Sequence, residues 1–121
     1  TEFIKDELGG GNVVYNSSTY SSNSITTFNT TQSYIANHSG NLTWAAGGII
    51  TSVGDGTWLA KDSNGNIVVA VWYGDSLNNA YSDGMVLVFT DINYASHSSY
   101  YTNNNKQLLC QQHIIRREAI C

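Results

Sequence analysis

Apolar residues gather in the middle of the chain in short runs separated by turn residues. Residues 49–53 read Ile-Ile-Thr-Ser-Val and stop at Gly54-Asp55-Gly56, and Thr57-Trp58-Leu59-Ala60 is followed by a polar segment, 61–66. Residues 67–73 are apolar or aromatic throughout, and 85–89 (Met-Val-Leu-Val-Phe) follow Asp83-Gly84. Runs of this length, rich in β-branched and aromatic residues, predict strands. Asn64-Gly65 is expected to supply the positive φ angles of a tight hairpin, pairing the strands at Trp58 and Ile67 antiparallel. The strands at Ile67 and Met85 are apolar at consecutive positions and do not alternate, so both of their faces must be covered. A helix, a long loop or a partner subunit would each serve as the second cover.

The flanks are polar. Residues 16–40 are mostly Ser, Thr and Asn with scattered Tyr20, Phe28 and Tyr34. They predict irregular loop, with at most a short strand, lying over the core through those aromatics. Residues 1–8 suit one or two helical turns stopped by Gly9-Gly10-Gly11, and 106–110 suit a short final strand. The expected architecture is mainly β, or α+β if an N-terminal helix is present. It is one domain with an antiparallel sheet of about four strands. Its parts are a helix remnant and glycine linker (1–11), a polar loop region (12–47), the sheet (48–110) and a C-terminal loop (110–121). A chain of 121 residues supports one hydrophobic core.

Composition adds a surface to this frame. Charged residues make up 12% of the chain, against about a quarter in ordinary domains. Their place is taken by fourteen Asn, fourteen Ser and eleven Thr. A surface of amides and hydroxyls suits hydrogen bonding to carbohydrate or close packing against neighbouring subunits; a merely polar surface is the plain alternative. The net charge is −4, and three of the five Lys and Arg lie in the last sixteen residues. Phosphate binding relies on clustered cations, and only Arg116-Arg117 comes near that, so nucleic acid is not expected as a general partner. The doublet either solubilises its loop, pairing with Glu118, or docks an acidic partner. No apolar stretch reaches the ~20 residues that span a bilayer.

Cys110 and Cys121 fall in the final twelve residues. An even count so close together in a Ser/Asn-rich chain reads as a disulfide and an oxidising, extracellular setting. Closing that loop would contribute roughly 3 kcal/mol in the chain-entropy model. Two unpaired thiols are the alternative. Only His113 lies between them, too few ligands for a tetrahedral zinc site, and neither metal nor cofactor is expected. Sequons occur at Asn16, Asn29, Asn37 and Asn41, as they easily do in so polar a stretch, and in a eukaryotic secreted protein they could carry glycans.

Three further patterns bear on chemistry. Gly74-Asp75-Ser76-Leu77, directly after an apolar strand, resembles the first block of the GDSL hydrolases, which implies Ser76 as nucleophile. That family's Asp-x-x-His is missing, since Tyr94 and Cys110 stand three residues before His97 and His113. A turn joining two strands is the plain alternative. Asp62, Asn64 and Asn66 have the alternating spacing of a calcium loop, but Ile67 stands where its glycine should be, which favours a hairpin tip. Trp58 and Trp72 lie in expected core strands. Trp44, Tyr94, Tyr100 and Tyr101 sit among polar residues and are the candidates for exposed contact with sugar or partner.

Strands beginning at Ile49, Trp58, Ile67 and Met85, a last edge at Leu108-Leu109-Cys110, and a terminal Cys110–Cys121 loop together resemble the globular head of type IV pilins and related pseudopilins. The resemblance covers about two thirds of the chain and rests on layout. It implies a structural or adhesive subunit of an extracellular filament at the cell surface. Such a subunit self-associates with identical or related subunits, performs no catalysis, and meets the membrane only through a hydrophobic helix, of which residues 1–8 would be the remnant. A secreted lectin-like module binding surface glycans through Trp44 and the tyrosines is the second reading, and a Ser76 hydrolase the third.

Overall fold

A computed structural model describes residues 2–21, 24–32, 41–42, 47–79 and 84–91. The protein is mainly β, as the apolar runs predict. The strands are β1 (Val13–Ser21), β2 (Ile25–Phe28), β3 (Gly47–Val53), β4 (Thr57–Asp62), β5 (Ile67–Tyr73) and β6 (Met85–Phe89). All described pairings are antiparallel, in the order β1-β3-β5-β4-β2 with β6 also on β5. The four runs expected as strands are β3 to β6. The described residues hold six strands where about four were expected, because β1 and β2 form inside the stretch expected as polar loop. β1 opens with the apolar Val13-Val14-Tyr15 and is drawn into strand by pairing with β3, Val13 opposite Val53 and Asn16 opposite Ile49. β2 buries Ile25 and pairs with β4. Partners far along the chain, and not local propensity, make these two strands.

β5 is the axis of the fold. It is buried from Val68 to Trp72, and its two faces feed two separate clusters. Val69 and Val71 pack with Ile25, Leu42 and Leu59, joined by Leu87 and Phe89 of β6. Ala70 and Trp72 pack with Ile4, Val13, Ile50 and Leu77, joined by Val86 and Val88. The second cover required by the consecutive apolar runs therefore comes from the same chain. β2 and Leu42 close one face, and the N-terminal turn with β1 and β3 closes the other. A bulge lies between Ala60↔Val69 and Lys61↔Ile67. It puts Val68 and Val69 into the same cluster before alternation resumes.

The N-terminus gives one wide helical turn, Phe3–Glu7, with Ile4 buried. The glycines after it are packed between other elements: the Asp55 amide donates to the Gly10 carbonyl and the Asn78 amide to that of Gly9.

The β4–β5 connection corrects the sequence reading by one residue. The Gly65 amide donates to the Asp62 carbonyl at 3.0 Å, so the turn centres on Ser63-Asn64, with Gly65 following at φ 84°. The Asp62 amide then donates to the Asn66 carbonyl, the pattern of a turn extended by a glycine bulge. The shift follows from Asp62, whose carboxylate accepts from the Asn64 and Asn66 amides, both at 2.9 Å, and thereby fixes the loop. Nothing lies within 4 Å of a side chain placed at Gly65. Gly65→Ala should therefore report backbone strain alone, lowering stability by about 1 kcal/mol in chemical denaturation. An unchanged midpoint would contradict the left-handed conformation.

Candidate functional site

The residues singled out for contact fall largely outside the described part of the molecule. Trp44, Tyr94, Tyr100, Tyr101, Arg116 and Arg117 lie there, as do Cys110, Cys121 and the expected strand at 106–110. Ser76 is described. It is half-buried in a short turn, Gly74–Ser76, closed by the Leu77 amide on the Gly74 carbonyl at 3.2 Å. The strand before it, β5, runs between antiparallel neighbours β4 and β6, whereas the GDSL family places its serine in a parallel α/β frame. All three histidines, His38, His97 and His113, are outside the described residues. The calcium-like spacing at the hairpin tip resolves into a turn. The Asp62 carboxylate is buried and engaged by its own loop, Asn66 Nδ2 adding a third bond at 3.2 Å. Among the described residues no group of three or more His, Cys, Asp or Glu could hold a metal ion, and no helix is long and apolar enough to cross a membrane.

What the fold does assemble is a sheet almost without charge. β1, β2, β3, β5 and β6 contain no Asp, Glu, Lys or Arg. The two charges of β4 are both occupied: Asp62 inside its turn, and Lys61 with its ammonium 4.3 Å from the centre of the Trp58 ring. At one end of the strand order stands β1, nine residues long, and the one described strand paired with it is β3. Val14 (42%) and Tyr15 (41%) are exposed there, followed by exposed Ser17 and Ser18. Asn16 Oδ1 accepts from the Ser18 amide at 2.9 Å, shaping the local backbone. Terminal strands are usually guarded against pairing by lysine, proline or inward charge. β1 has none of these, and its interruptions are two irregularities of register, after Val14 and after Asn16.

Comparison with protein-family models, curated proteins and solved structures gives no match. The surface must therefore be read from its own chemistry.

At the other end of the order, β2 is four residues long and bridged to Leu42 at Ile25, a better-guarded terminus than β1. Asn29, just beyond it, donates from Nδ2 to the Trp58 carbonyl at 2.9 Å and from its amide to the Leu59 carbonyl at 2.8 Å. The Asn29 sequon is thus committed to holding the end of β2 on β4, while Asn41 is exposed. Tyr15 is an exposed aromatic that sequence reading did not single out. Within Val13-Val14-Tyr15 it resembles core, and only the pairing of β1 shows it at the surface.

Proposed function

We propose that this protein is a structural or adhesive subunit of an extracellular filament, acting through contacts between surfaces and not through a reaction. The observation that carries the reading is the nearly charge-free sheet ending in β1, a terminal strand with no lysine, proline or charge whose outer side no described strand covers. A chain that must stay monomeric in solution keeps mixed charges on its surface. One that packs against its own kind benefits from hydroxyls, amides and a few exposed apolar groups, which can be buried without stranding a charge. The pilin-like layout of the sequence and the paired spacing of Cys110 and Cys121 point the same way.

Immunogold labelling of cells that make the protein tests this reading. Label should run along surface filaments, and the filaments should be lost when the gene is deleted. Label confined to the cell interior, or filaments unchanged by the deletion, would contradict it.

A further inference from the structure

Fourteen asparagines are spread along the chain, and Asn64 alone is followed by glycine. The structure sets it apart as well. Asn29, Asn66 and Asn79 commit their Nδ2 groups to Trp58, Asp62 and Asp6. Asn64 and Gly65 are both exposed, and no described hydrogen bond engages the Asn64 side chain. Asn12 and Asn78 are exposed too, but Val13 and Asn79 follow them, and a side chain on the following residue crowds its own backbone nitrogen. Gly65 has no such side chain, and nothing lies within 4 Å of the place where one would stand. A nitrogen so open can close a ring on the side-chain carbonyl of the residue before it. Against this, every backbone amide from 62 to 66 is engaged. Those of Asp62, Ser63 and Gly65 donate to the carbonyls of Asn66, Ser24 and Asp62, and those of Asn64 and Asn66 to the Asp62 carboxylate.

We propose that Asn64 is a self-modifying site, converted to aspartate and isoaspartate at a rate that Asp62 holds down. The Gly65 nitrogen gives its proton to hydroxide and attacks Asn64 Cγ. The Cγ–Nδ2 bond breaks, ammonia leaves carrying a proton from water, and a succinimide remains. Water then opens the imide at either carbonyl. One product is aspartate; the other is isoaspartate, whose backbone runs through the former side chain. Nothing is oxidised or reduced. Asp62 opposes the first step twice. Its carbonyl holds the Gly65 N–H away from base, and its carboxylate, bonded to the amides on either side, disfavours negative charge on the nitrogen between them. Conversion therefore proceeds from a locally opened loop. The product undoes the guard: a new carboxylate at position 64 stands against that of Asp62, and isoaspartate adds a carbon to the turn. Each conversion thus loosens the β4–β5 hairpin. The site stands or falls independently of the filament reading.

Mass spectrometry with peptide fragmentation, on the folded full chain incubated at mildly alkaline pH, tests the proposal. A gain of about one mass unit is expected at Asn64, with isoaspartate among the products. In Asp62→Ala the same gain should appear about tenfold faster, since chemistry on an opened state follows that state's population. Asp62→Asn keeps an acceptor and loses the charge, so its rate should fall between the two, and the comparison stands even if the alanine variant does not fold. Ile4→Ala, which weakens the second cluster away from the hairpin, should leave the rate at Asn64 near that of the parent. An Asn64 that stays intact in the folded parent while other asparagines convert would overturn the proposal. So would equal rates in the parent and both Asp62 variants, or an acceleration by Ile4→Ala as large as that by Asp62→Ala.

Discussion

Trp72→Ala should lower the unfolding free energy by about 3–5 kcal/mol in urea or guanidinium titration, out of the roughly 5–15 kcal/mol that holds a domain of this size folded. Trp72 is 1% exposed and the largest fully buried side chain among the described residues. It sits on β5 opposite Val86 of β6 and packs with Ile4, Val13, Ile50 and Leu77. Truncation removes the ring from contact with three separate segments, namely the N-terminal turn, β1–β3 and the turn after β5. Its indole nitrogen also donates to the Val53 carbonyl at 2.8 Å, tying the end of β3 to β5. β3 and β5 share only the register pair Ile50↔Ile67, so this side-chain bond carries much of their connection. Trp72→Phe, which keeps a ring but loses the donor, should cost about half as much. A loss below about 1.5 kcal/mol for the alanine variant would mean that the second cluster is not packed as described.

The second large effect belongs to Asp62. Its carboxylate is 1% exposed and accepts from the Asn64 and Asn66 amides and from Asn66 Nδ2. Asp62→Ala leaves two backbone donors of a tight loop without that acceptor; hydrogen bonds to a charged group contribute about 1.5–3 kcal/mol each in net terms, and water at the exposed loop replaces part of what is lost. The expected loss is about 2–4 kcal/mol, read in the same denaturant titration. Asp62→Asn keeps an oxygen for the two amides and turns an NH2 group toward that of Asn66, so its loss should be smaller. An alanine variant within about 0.5 kcal/mol of the parent, the range of ordinary surface changes, would show that the hairpin does not depend on its carboxylate.

The strands that sequence reading finds are those with apolar side chains on both faces, whether fully buried as in β5 or half-buried as in β6. β5 and β6 announce themselves as unbroken apolar runs because each feeds a cluster on both faces, and β4 is located by the Asn64-Gly65 turn. That turn slips by one residue because a side-chain acceptor, Asp62, competes with the backbone preference of Asn-Gly. β1 and β2 escape for a different reason. In β2, Ile25 is buried, Thr26 and Thr27 are exposed and Phe28 is half-buried, and a register irregularity between Ile25 and Thr27 breaks the alternation that would mark a strand. In β1 the run Asn16-Ser17-Ser18 has the composition of a loop, and only the pairing partner Gly47–Val53 makes it strand. The exposure of Tyr15 is hidden for the same cause, since a tyrosine beside two valines reads as core until its strand is found at the end of the order.

Sedimentation velocity of the parent chain and of Val14→Lys, across a wide range of concentration, tests most directly whether the charge-poor sheet serves association. Val14 is exposed, so the lysine should leave the unfolding midpoint unchanged while placing a charge on β1. The account predicts concentration-dependent association of the parent that the variant loses or weakens strongly. A parent that stays monomeric at every concentration, or a variant that associates equally well, would contradict it.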